Sequence, residues 1–168
     1  MTAEVETLKR RIRWLLGLFV VALLVSGLTA VPLRAEAGLL DSILGEGSSF
    51  ESIWPQMARW ISLVNRGITE TNERYPFMLY GTDWLAFAHV VIAIAFIGPV
   101  RDPVKNVWVI EFGMIACILV VPVALICGAI RDIPFFWRLI DCSFGILGVI
   151  PLYIARKYTR RLLRSRVQ

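Results

Sequence analysis

Histidine is nearly absent: His89 is the one imidazole in 168 residues. That excludes a bis-histidine haem or a multi-histidine zinc site within one chain, although a symmetric dimer would supply two such side chains. Cysteine is scarce too. Cys117, Cys127 and Cys142 all fall in apolar segments and none forms a C-x-x-C pair, which removes zinc ribbons and thioredoxin-like redox motifs. Each is expected to act as a small apolar residue. The chain has no phosphate loop, no G-x-G-x-x-G, no G-x-S-x-G and no H-E-x-x-H. No metal site is expected, and the sequence names no cofactor.

Charge is sparse as well, at 18% of residues, while 57% are hydrophobic and the mean hydropathy is +0.67. Soluble domains run at roughly 45–50% apolar. The excess is concentrated in blocks long enough to cross a bilayer, which takes about 20 apolar residues per helix. The blocks fall at residues 14–33, 83–100, 107–130 and 134–155. The expected fold is an all-α integral membrane protein: a bundle of four transmembrane helices forming one membrane domain over residues 1–168. The first block also has the form of a signal peptide, with Lys9, Arg10, Arg11 and Arg13 before it and Ala35, Glu36 and Ala37 after it. Its apolar run is longer than the usual 7–15 residues of such a peptide, and Arg34 and Glu36 crowd the cleavage site, so a retained helix is expected.

Residues 34–82 form the one long connection. Ser48 and Glu51 have capping-box spacing, and Phe50, Ile53, Trp54, Met57, Ile61 and Val64 recur at helical intervals, with Gly67 as a stop. This predicts an amphipathic helix over residues 50–66, too polar to span, lying at the membrane interface or across the ends of the spans. A shorter apolar cluster of Leu39, Leu40, Ile43 and Leu44 precedes it, and Tyr75 followed by Pro76 breaks the helix before the second span.

Basic residues gather in the N-terminal segment, in the turn holding Arg101 and Lys105, and in the tail of residues 156–168, whereas the long connection is rich in acidic residues. The positive-inside rule places both termini in the cytoplasm and the long loop outside a bacterial-type inner membrane. The tail has no interleaved aromatics. It reads as an anchor to membrane lipids and not as a nucleic-acid surface. A second copy of the chain, or another membrane protein, is a further partner to consider. Gly98, Arg101 and Asp102 are echoed by Gly128, Arg131 and Asp132, which reads as two helix–turn–helix connections using the same stop-and-start chemistry.

Ionisable residues inside a span are costly unless paired or facing water. His89, Arg138 and Asp141 fall at similar depths in the outer half, on helix faces that also carry Ala86 and Ala93, or Gly145 and Gly148. The third span has a matching stripe of Gly113, Cys117, Ala124 and Gly128. Arg138 and Asp141, three residues apart, are expected to pair, with His89 on a neighbouring wall of an outward-facing pocket for a lipid headgroup, quinone or similar small molecule. Trp54, Met57, Trp60 and Ile61 would form its lid. Glu111, near the inner end, is expected to snorkel to the interface or to pair with Lys105 or Arg156. A non-enzymatic binding or accessory protein is the favoured function. A membrane-embedded enzyme or redox protein using His89 and Asp141, or a subunit of an oligomeric channel or transporter, are the alternatives.

Overall fold

The structure, a computed structural model, describes residues 3–167, with side chains from 4 to 165. Arg166 of the basic tail lies outside the described side chains. All regular elements among these residues are helical: α1 (Ala3–Leu28), α2 (Leu33–Leu44), α3 (Pro55–Arg74), a 3-10 turn (Pro76–Leu79), α4 (Tyr80–Ala95), the short α5 (Ile97–Arg101), α6 (Val107–Ile130) and α7 (Phe135–Val167). Four segments are long and apolar enough to cross a membrane: Glu4–Leu28, Pro76–Arg101, Val107–Ile130 and Phe135–Ser165. Only 17–22% of their most apolar windows is buried within the chain, so most of this apolar surface faces outward, as hydrocarbon solvent permits and water does not. Leu18, Ile115, Ile126, Phe144 and Ile150 are among the large side chains left exposed.

The helix ends have local causes. The third span begins and ends where expected, but the others shift. The second starts at Pro76 because proline opens the 3-10 turn that leads straight into α4. The fourth continues unbroken through the basic tail. In the long connection, the capping box expected at Ser48 does not form: the Glu51 carboxylate accepts from the Gly47 N–H at 2.8 Å in a turn where Gly47 has φ 83°. Helix α3 starts instead at Pro55, whose fixed φ suits the first helical position. It passes through Gly67 and ends at Arg74, before Tyr75 and Pro76. The apolar cluster around Leu40 belongs to a helix of its own, α2, and Ala35, Glu36 and Ala37 lie within it. The two echoed turns differ in backbone. Asp102 is extended, and its Oδ1 accepts from the Val104 and Lys105 N–H groups, both at 3.2 Å. Asp132 is left-handed (φ 55°) and closes α6 in a Schellman pattern, with the Ile133 N–H donating to Gly128 O and the Asp132 N–H to Ala129 O.

The chain divides into two compact units, Leu24–Val91 and the remainder, with the boundaries falling inside α1 and α4. In the larger unit, α6 packs along α7. Its core joins Ile12 and Leu16 of α1, Phe96, Ile110 of α6, and Leu152 and Leu162 of α7, all fully buried. Phe19 tilts against Phe96 with ring centroids 4.8 Å apart, and Phe96 occupies the space left by Gly113, where a Cβ would sit 2.6 Å from its Cζ. Closest in this unit is Gly145: a Cβ there would collide with the backbone carbonyl oxygen of Cys117. In the smaller unit, α2 and α3 form a helical hairpin, with Ala37 of α2 and Met57, Ala58, Ile61 and Ser62 of α3 buried.

Gly145 faces backbone, which cannot swing aside, whereas Gly17 has open space around its Cβ position. Gly145→Ala should therefore lose about 1–3 kcal/mol of stability, the usual range for overpacking. Gly17→Ala should be neutral or gain up to about 1 kcal/mol in helix propensity. Unfolding of the full chain in mild detergent, followed by circular dichroism, measures both. Equal stability of the two variants would contradict a backbone contact at Gly145.

Candidate functional site

Arg138 and Asp141 lie in the larger unit and His89 in the smaller, so each is described in its own surroundings. Arg138 is held by α6. The absence of a side chain at Gly128 makes room for its aliphatic stem, since a Cβ there would sit 2.6 Å from Arg138 Cδ. Its Nη1 donates to the Leu125 carbonyl at 3.3 Å, its guanidinium lies 5.4 Å from the Phe135 ring centroid, and its Nε is buried without a hydrogen-bond partner. The cation thus sits near the C-terminal end of α6, where the helix dipole is negative. Among the described residues no ion pair joins Arg138 to Asp141: Arg138 reaches across to α6 instead of along α7. Asp141 is half-buried.

His89 is also half-buried, with Nδ1 2.8 Å from the Leu85 carbonyl oxygen one turn earlier in α4. Its Cβ lies so close to Gly27 that a methyl group at position 27 would overlap it. Ala86 of the same helix is buried, as is Ala93 in the larger unit. Of the four residues expected as a lid, Met57 and Ile61 are buried, Trp60 is half-buried and Trp54, just before α3, is 39% exposed. Glu111 meets Arg156 at 2.7 Å, with Arg160 at 3.9 Å, which fixes the register of α6 and α7 near the end of the spans.

Two features escaped the sequence. The first is the polar clasp of the hairpin. Ser62 Oγ donates to Asp41 Oδ1, Asn65 Nδ2 donates to Asp41 Oδ2 at 2.7 Å, and Ser62 Oγ accepts from the Glu46 N–H at 2.8 Å. Asp41 stands among Leu39, Leu40, Ile43 and Leu44; a carboxylate inside an apolar cluster was the available signal. The second is a cleft within the smaller unit, of about 910 Å³. Its walls come from the α1–α2 turn and α2 (Pro32, Arg34, Gly38), the end of α3 (Asn72), the 3-10 turn (Phe77) and the start of α4 (Tyr80, Thr82, Asp83). Arg34 pairs loosely with Glu73 at 3.7 Å, while Thr82 Oγ1 donates to the Leu79 carbonyl at 2.6 Å. The cleft therefore presents aromatic and aliphatic surface beside both a cation and a carboxylate. Among the described residues, no group of three or more His, Cys, Asp or Glu side chains is placed to hold a metal ion.

The four apolar spans define the class, a multi-pass, all-helical membrane protein. No protein-family model matches the chain, and comparison with curated proteins and solved structures gives no match.

Hydrogen bonds to a charged acceptor contribute about 1.5–3 kcal/mol each. Asp41→Ala should release the hairpin locally and speed amide hydrogen exchange across α2 and the facing turns of α3 by about tenfold to a hundredfold. Exchange in α6 and α7 should stay as it is. Unchanged protection in α2 would show that apolar packing alone holds the hairpin.

Proposed function

We propose that the chain is a non-enzymatic binding or accessory protein of a bacterial-type inner membrane, which takes up a small amphiphile such as a lipid or quinone in the cleft of its smaller unit. The observation that carries this reading is the cleft itself, whose volume of about 910 Å³ falls within the roughly 300–1,000 Å³ common for small-molecule sites. Phe77, Tyr80 and Leu33 suit an apolar body, and Arg34, Asn72, Thr82 and Asp83 suit a polar head. In this reading both termini are cytoplasmic, because the basic segments flank the first and last spans, and residues 34–82 lie outside. The hairpin rests at the outer interface, where Leu39, Ile43 and Leu63, all exposed, meet lipid and the acidic side chains meet water. The cleft stands where the chain leaves the first span and enters the second, at headgroup depth. His89 in the smaller unit, and Arg138 and Asp141 in the larger, remain candidate ligand-binding residues in this proposal, each within its own unit, as ionisable groups within spans commonly are.

Gly38 lines the cleft, and a Cβ there meets only Asn65 Oδ1 at 4.0 Å, so a larger side chain adds bulk without a clash at its root. Native mass spectrometry of the full chain extracted in mild detergent should find a bound amphiphile. Gly38→Leu and Tyr80→Ala should each cut its occupancy at least about tenfold, a loss of roughly 1.4 kcal/mol, with helicity retained. Undiminished retention in both variants, or no retained molecule in the parent, would refute the cleft as the binding site.

A further inference from the structure

The C-terminal part of α7 does not behave as a free amphipathic helix. Ala155 and Leu162 are fully buried and Thr159 is 2% exposed, in the unit whose core also holds Ile12 and Leu16 of α1. Arg11 lies 5.9 Å from the Tyr158 ring centroid and adds a second tie between the two helices. The apolar stripe of the tail is thus already used inside the fold and is unavailable for insertion into lipid. The charged residues fall elsewhere. At 3.6 residues per turn, Lys157, Arg161 and Arg164 follow i, i+4, i+7 spacing and stand opposite the stripe formed by Ala155, Thr159 and Leu162. All three are exposed. Glu111 takes up Arg156 and, more loosely, Arg160, whereas no acidic side chain pairs with Lys157, Arg161 or Arg164 among the described residues. Arg10 and Arg13, also exposed, bring further positive charge on α1 in the same unit.

We infer that Lys157, Arg161 and Arg164 form a rigid basic stripe that binds the phosphates of anionic lipid headgroups at the end of the bundle carrying both termini. Lipid is the favoured source of phosphate because of position. From Phe135, about 20 residues of helix cover the roughly 30 Å of hydrocarbon, which brings Ala155 to its edge. Lys157 follows about 3 Å later and Arg164 about 13 Å later, within reach of the headgroup layer for long side chains that can bend back toward it. The stripe is preorganised, since the burial of Leu162 holds its backbone in place whether or not lipid is bound. Binding should therefore be electrostatic, sensitive to salt, and independent of the amphiphile cleft.

The test uses the full chain in mixed micelles holding equal amounts of phosphatidylglycerol and phosphatidylcholine, with bound lipids counted by native mass spectrometry. The parent should prefer phosphatidylglycerol, and the preference should fall at high salt. With each basic residue contributing about a fivefold gain at an anionic surface, the combined Lys157→Gln, Arg161→Gln and Arg164→Gln variant should lose about a hundredfold of that preference. Arg161→Lys with Arg164→Lys should keep it, and circular dichroism should show the helices intact in every variant. A parent with no preference, or a triple variant that keeps it, would overturn the inference. So would a triple variant that loses a co-purifying acidic protein while its lipid preference stays the same.

Discussion

In hydrocarbon two apolar helices gain little by touching, because lipid chains are as apolar as leucine; close backbone approach is what lets dispersion and polar contacts act. The α6–α7 pair meets that condition at Gly145, where only the lack of a side chain lets α7 sit against the Cys117 carbonyl. With the helices fixed there, Arg156 lies at Glu111 near one end, and Arg138 lies along Gly128 with its guanidinium on the last turns of α6 near the other. Leu152 and Leu162 then present the surface that seats Ile12 and Leu16 of α1. One close contact thus sets the register of charges at both ends of the pair.

The smaller unit is held on a different principle. Its hairpin buries few large apolar side chains, and α2 and α3 are joined by the carboxylate of Asp41, shared between Ser62 and Asn65. Such a network is directional, so it specifies one alignment of the helices and leaves their outer apolar residues free. That freedom is what makes an interfacial location physically reasonable, and the resulting geometry leaves a cleft between the α1–α2 turn and the start of α4.

Much of the fold was legible because the bilayer imposes a length rule. Residues 107–130 read as a span from composition alone and form α6 with those ends. The small-residue stripes were legible for the same reason, and Gly113, Gly128 and Gly145 all turn out to be points of close approach. The helix starts in the long connection were less so. Ser48 and Glu51 have the spacing of a cap, yet Pro55 offers a better-formed first turn and Gly47 diverts the Glu51 carboxylate. The partner of Arg138 was misjudged because sequence proximity favoured Asp141, whereas carbonyls near the end of a neighbouring helix are acceptors that no motif records. Asp41 is marked in the sequence as a carboxylate inside an apolar cluster, but its partners Ser62 and Asn65 lie more than twenty positions away with no periodic signal, so only the folded hairpin reveals them.

The proposed function has the chain crossing the membrane four times with residues 34–82 on the outer side. The most direct measurement is labelling of a cysteine introduced at Ser48, in a background with Cys117, Cys127 and Cys142 replaced, using a membrane-impermeant maleimide on intact cells. The account predicts rapid labelling from outside, with no further gain when the membrane is permeabilised. Labelling only after permeabilisation would place the hairpin and its cleft on the cytoplasmic side and contradict the orientation.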